Sequence, residues 1–199
     1  MNNEYVIIGA GGHAKVVIEL VEGSGDKVKE VIDNNIDLKQ VLGYPVTQQQ
    51  AADLPVIIAV GNNKIRQKIA GKCKDKFGKA IHPGTNLSKR SKIGEGTVVM
   101  AGVSINADAV IGKHCIINTN ASVDHECIIA DFVHIGPNVS LGGNVTVGEG
   151  AHLGIGCSVI HGIKIGSWAT IGAGAAIIED VPDNAVVVGV PGKIIKHNG

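Results

Sequence analysis

From Leu87 onward the apolar positions of the chain keep a six-residue beat. Leu87, Ile93, Val99, Ile105, Ile111, Ile117, Val123, Ile129, Ile135, Leu141, Val147, Leu153, Val159, Ile165, Ile171 and Ile177 are all aliphatic, sixteen positions without a slip. Gly follows eight of them, and a small residue stands four places after most, as at Ser91, Thr97, Ala109, Cys115, Ala121, Cys127, Ala151, Cys157, Ala169 and Ala175. A helix repeats every 3.6 residues and a half-buried strand every two, so neither produces this period. A parallel β-helix does. Each hexapeptide forms one flat face, its aliphatic side chain points inward, and Gly or a small residue turns the corner. Three faces make a coil, so residues 18 apart stack. The run 87–178 predicts about five coils with no inserted loop.

The residues before 80 follow a different pattern. Residues 4–8, 29–32 and 55–60 are short apolar runs that read as strands, while 14–22 and 64–77 are amphipathic and predict helices. Strands alternating with helices imply a small parallel sheet. Gly9-x-Gly11-x-x-Ala14 follows the first strand and opens a helix, and Asp33 ends the second strand. That spacing suits a turn whose N–H groups face a pyrophosphate, with an acid near a ribose. A plain tight strand-to-helix turn uses the same glycines. With about three strands in about 80 residues, the unit is half a Rossmann fold, enough for one nucleotide. A nucleotide-sugar is therefore favoured over a redox dinucleotide. Gly11, Gly12, His13, Asp33, Asn34, Gly61 and Asn62 fall at the carboxyl edge and would line the crevice; His13 either caps its helix or touches substrate.

Composition narrows the function. Lys and Arg together number 18, as do Asp and Glu, which gives no basic footprint for nucleic acid or an anionic membrane. No apolar run is long enough to span a bilayer, and the N-terminus lacks the features of a signal peptide, so a cytoplasmic protein is expected. Cys115, Cys127 and Cys157 fall on three different faces and read as small interior residues. His114 and His197 are expected to be exposed, and His82 to lie in the linker. His152 should stack beside His134. A zinc site resting on His125 and His161 would need a third histidine near position 166, which is Gly, so no metal is expected.

Between two aliphatic positions of the repeat, Val123 and Ile129, stands a charged triplet, Asp124-His125-Glu126. Histidine suits general base catalysis because its unperturbed pKa is about 6.5. A carboxylate on the second ring nitrogen fixes the tautomer and steadies the imidazolium. Either Asp124 or Glu126 can supply it.

Four segments, GAGGHAKVV (9–17), IAVGNNKIR (58–66), NTNASVDHECIIADFVHIGPN (118–138) and GVPGKIIK (189–196), together resemble the NeuD/PglD-type sugar acetyltransferases, a branch of the hexapeptide-repeat acyltransferases. The resemblance covers essentially the whole chain. It implies an α/β Rossmann-like half domain over 1–80 that holds a nucleotide-sugar, and a left-handed parallel β-helix over 81–199 that binds acetyl-CoA. It further implies a homotrimer with active sites at subunit interfaces. On this resemblance His125 is the general base and Glu126 its assisting acid. His134, Ile155 and Ala173 contact acetyl-CoA, and Ala173 stands where Gly is common. Gly12 and His13 form the substrate loop, preceded by Gly11 where some relatives carry Ser. Asn118 helps to place the substrate. Trp168 packs on a neighbour or on the adenine of CoA. The implied reaction is N-acetylation of a UDP-4-amino-4,6-dideoxy sugar, with O-acetylation of sialic acid as the alternative. A trimeric scaffold or sugar-nucleotide sensor without catalysis is the rival of another class. His125 and His134 are nine residues apart, half a coil. They should lie on opposite sides of one β-helix and meet across a subunit boundary.

Overall fold

The computed structural model describes residues 3–74 and 76–198. The chain opens with strand β1 (Glu4–Ile8), helix α1 (Gly12–Gly23) and strand β2 (Lys27–Ile32). Strands β3 (Gln40–Val41), β4 (Tyr44–Thr47) and β5 (Val56–Ile58) and helix α2 (Asn63–Ala70) complete the unit. The sheet order is β3-β4-β2-β1-β5; all neighbours are parallel except the β3–β4 hairpin. The sheet therefore has five strands, not about three. Strand β4 escapes a reading by pattern because it is short and carries Pro45. The proline lies outside the positions paired with β2, Val46 and Thr47, and opposite Gln40 on the β3 side, where the neighbouring Val46 N–H supplies the bond to Lys39. Helix α2 ends at Ala70 instead of running to 77. Gly71 closes it, and the chain turns back so that Phe77 bridges Val56 in parallel.

The β-helix begins with the strand Ala80–Ile81 and continues in two-residue strands to Ala176–Ile177. Partners on each face are 18 residues apart, as in Ile105↔Val123, Ile111↔Ile129 and Ile117↔Ile135. The second residue of each strand points inward, and from Val99 to Ile177 these aliphatics are no more than 3% exposed. Cys115, Cys127 and Cys157 fill buried slots beside strands of three separate sheets. The corners recur in the left-handed region, at Asp108, Glu126 and Asn144 on one edge and at His114, Phe132 and Trp168 on another.

One face of the β-helix carries the N-terminal unit. Its outward residues Val98 and Ile116 are buried in a common core with Ala14, Val17, Ile18 and Val21 of α1. Further along the same face the outward residues become His134, His152 and Thr170. A hairpin of Ala185–Val188 and Lys193–His197 closes this face. The expected exposure of His114 is incorrect. It is 4% exposed, stacked on Phe132 at 5.1 Å and met edge-on by Phe77 at 4.4 Å. A corner side chain points outward, but here the N-terminal unit covers the corner.

Candidate active site

His125 sits at a corner remote from the docked face, in the turn before Ile128–Ile129. Its Nδ1 lies 3.0 Å from Glu126 Oε2. Asp124 does not face the ring. Its Oδ1 accepts the backbone N–H of His125 at 2.7 Å and the side-chain amide of Asn106, one coil earlier, at 2.7 Å. These two donors hold the Asp124 carboxyl below its ordinary value, the Asn106 bond first. The geometry thus divides the roles left open between the two acids: Glu126 meets the imidazole and Asp124 ties down the turn. With Nδ1 engaged, Nε2 is the free nitrogen, and it lies over Gly143 of the next coil. The His125 side chain is 56% exposed, so any molecule reacting at Nε2 comes from outside this chain.

A second group of residues gathers where the N-terminal unit meets the β-helix. His134 packs against His152, ring centroids 4.8 Å apart, and against His13 at 6.5 Å. Asn118 Oδ1 accepts the backbone N–H of Thr119 at 2.8 Å, which turns the Asn118 amide toward His134 Nε2 at 3.2 Å. A neutral ring accepting at Nε2 carries its proton on Nδ1. Among the described residues that buried atom has no hydrogen-bond partner, and neither has His13 Nε2; the Gly61 backbone lies beside the His134 ring. Burial pushes the His134 pKa down to about 3, with His152, Arg66 and His13 adding to it. Burial and then Arg66 bring His13 down to about 4, and the same causes lower His152. All three rings are neutral near pH 7 and can accept or donate a hydrogen bond without carrying charge. Among the described residues no group of three or more His, Cys, Asp or Glu is arranged to hold a metal.

The sheet edge holds a crevice of about 540 Å³ lined by Gly9, Asp33, Asn34, Gln50, Ile65 and Lys72 among others. Asp33 is not idle there. Its two oxygens accept the N–H groups of Ala10 and Asn35, each at 2.8 Å, and so brace the glycine turn against the end of β2. Gly11 and Gly12 face open space. Helix α1 starts after Gly11, which as a glycine makes no side-chain cap bond. Gly61 and Asn62 lie on the other side of the loop, with His152, Thr170 and Trp168, around a hollow of about 290 Å³. The Trp168 ring covers the Gly150 corner and has Lys64 Nζ 5.9 Å from its centroid. Ile155 is 59% exposed and Ala173 is also exposed; they follow the strands of the docked face one coil apart and make an open ledge.

The structure therefore brings His13, Gly61, Asn118 and His134 together, and keeps His125 and Glu126 at a different corner. A reading by pattern missed Arg66, Asn63 and Gly143. Arg66 and Asn63 stand in a polar helix start, where solvent exposure is the ordinary expectation, and Gly143 is one of many corner glycines.

Residues 4–73 match the PglD N-terminal domain family, and residues 90–125 match the bacterial transferase hexapeptide family of six repeats. The PerB protein of Caulobacter crescentus, solved with CoA and GDP-perosamine, is 43% identical over 97% of both chains, with a TM-score of 0.92. The acetyltransferase domain of PglB from Neisseria gonorrhoeae, solved with acetyl coenzyme A, is 36% identical over 98% of this chain and all of that one, with a TM-score of 0.91. The UDP-N-acetylbacillosamine N-acetyltransferase of Bacillus subtilis is 45% identical over 108 residues, a stretch that spans about half (50%) of that relative's length.

Proposed function

Because the chain belongs to the NeuD/PglD-type sugar acetyltransferases, we propose that it transfers acetyl from acetyl-CoA to the amino group of a nucleotide-linked amino sugar, with His125 as general base. The finer reading is the 4-amino group of a UDP-4-amino-4,6-dideoxy sugar. The observation that carries the proposal is the His125–Glu126 pair, a 3.0 Å contact that leaves Nε2 of an exposed imidazole open to a substrate. As the sugar nitrogen attacks the thioester carbonyl, Nε2 of His125 takes its proton. A C–N bond forms, the C–S bond breaks through a tetrahedral intermediate, and the CoA thiolate leaves. Glu126 steadies the imidazolium and fixes the tautomer. No covalent enzyme intermediate is required.

The nucleotide occupies the crevice at Asp33 and Asn34, with Gly11, Gly12 and His13 at the turn and Gly61 and Asn62 across the loop. Acetyl-CoA lies along the ledge of Ile155 and Ala173 with its thioester near His134 and Asn118. His125 belongs to another edge of the β-helix, so the acetyl-CoA it acts on is held by a second copy of the chain. A homotrimer with three intersubunit active sites satisfies this geometry.

The test is CoA-thiol release from acetyl-CoA with UDP-4-amino-4,6-dideoxyglucose and with GDP-perosamine, for wild type and His125→Ala. Release with either acceptor, falling by about a hundredfold or more in the variant, is the expected result. Equal rates in both proteins remove His125 from the chemistry. Release with sialic acid alone moves the reaction to O-acetylation.

A further inference from the structure

Every left-handed corner of the β-helix turns one backbone carbonyl outward, off the ladder. On most edges water can satisfy it. On the edge of His114, Phe132 and Gly150, one coil apart, the N-terminal unit excludes water: His114 and Gly150 are buried. Among the described residues none of these three carbonyls accepts a bond from the β-helix ladder. A buried carbonyl without a donor costs about 1–3 kcal/mol. All three are met by two side chains of α2. Arg66 Nε donates to the His114 carbonyl at 2.8 Å and Arg66 Nη2 to that of Phe132 at 2.8 Å. Asn63 Nδ2 donates to that of Gly150 at 3.0 Å. Asn63 is itself held by Arg66, whose Nη2 donates to Asn63 Oδ1 at 2.9 Å.

The other end of the same guanidinium faces the opposite way. Arg66 Nη1 donates to the Val60 carbonyl at 3.0 Å and to the Gly61 carbonyl at 3.2 Å. These five bonds use all five N–H donors of an arginine side chain that is 1% exposed. No carboxylate is among the acceptors. The fork therefore ties the loop after β5 to consecutive coils of the β-helix. In that loop the Gly61 backbone lies beside His134, and a Cβ placed on Gly61 would come within 4.0 Å of His13 Cβ.

We propose that Arg66, supported by Asn63, is a positioning residue that sets the substrate loop of the N-terminal unit in register with His134 and Asn118 of the β-helix. It touches neither substrate. It acts through the Gly61 carbonyl and the corner carbonyls, and it rests on the reading that this loop holds the nucleotide-sugar. Lysine cannot replace it, because an ammonium offers three donors and no planar fork to span acceptors on two sides.

The test compares Arg66→Lys and Asn63→Ala with wild type in two ways. Kinetically, kcat/KM for the nucleotide-sugar should fall by about a hundredfold in Arg66→Lys, with the KM for acetyl-CoA within about twofold of wild type. Without any substrate, the titration midpoints of His13 and His134 followed by NMR should rise toward about 6.5 as the loop opens to water. Asn63→Ala should move both readouts in the same direction by less, and serves if Arg66→Lys does not fold. A lysine variant with unchanged sugar kinetics, or with sugar and acetyl-CoA equally impaired, overturns the proposal. If no acceptor is turned over by wild type, the functional reading fails on its own; unchanged histidine midpoints in both variants would separately overturn the role of Arg66.

Discussion

The imidazole of His125 lies so close over Gly143 that a Cβ added there would come within 2.5 Å of Nε2 and 2.6 Å of Cε1. Gly143 is not in the left-handed region, so the backbone does not demand glycine. The histidine ring does. Gly143→Ala should leave the β-helix intact, with a stability change under about 1 kcal/mol, and lower kcat at least about tenfold by displacing the base. The check is kcat in wild-type and His125→Ala backgrounds. The loss should appear only in the first, since the two changes act on one group.

Glu126 holds φ +59, a conformation that its neighbours along the same edge fill with Asp108, Asn144 and Gly162. A glutamate there is strained, and its exposed contact with His125 returns little stability in water. Glu126→Asn should therefore raise stability by roughly 0.5–1 kcal/mol while lowering kcat. Thermal melts paired with initial rates test this. A variant both less stable and fully active would contradict the assignment of Glu126 as a strained functional residue.

Acid should weaken the fold through the buried histidines. His13 and His134 are held neutral in the folded chain, with pKa values near 4 and 3, whereas an unfolded imidazole titrates near 6.5. Between those values the unfolded chain binds more protons, so stability drops as pH falls from about 6.5 and levels off only once the folded rings also protonate. His152, lowered in the same way, adds to the slope, and Arg66 is the cation that faces all three. Urea midpoints at pH 7, 5.5 and 4.5 should decline in that order, and His134→Gln should flatten the decline.

The β-helix was legible from Leu87 to Ile177 because the inward side chain at each step has only one neighbour column to satisfy, so the period survives in the letters. His125–Glu126 stood out because a histidine lies directly between two carboxylates, Asp124 and Glu126, at one corner of the repeat. Contacts between the two units were not legible. The burial of His114 and the five bonds of Arg66 depend on which corner the N-terminal unit covers, and no local pattern states that. The shortened α2 has a similar origin: residues 71–77 carry a helix-like mix of Lys and apolar residues, but Gly71 and the bridge from Phe77 to Val56 prevail. Asp33 illustrates a subtler limit. Its place after β2 was clear, whereas its use as a brace for Ala10 was not, because a strand-end acid serves a ribose or a backbone amide with the same letters around it.

Uninterrupted pairing at 18-residue intervals makes the β-helix a ruler with one graduation. Adjacent strands lie about 4.8 Å apart, so distances along the axis come only in multiples of that step. Inserting a single residue into the ladder between His134 and His152 would part those two rings, and one between His114 and Phe132 would part the carbonyls that Arg66 joins. From Ala80 to Ile177 every pairing keeps the 18-residue interval, and only the closing coil is two residues shorter, with Ile165 paired to Val181 and Ile171 to Val187. The spacing between the histidines, the ledge at Ile155 and Ala173 and the terminal hairpin can thus be altered by evolution or by design only in discrete jumps, while chemistry is tuned by exchange of side chains on a fixed scale.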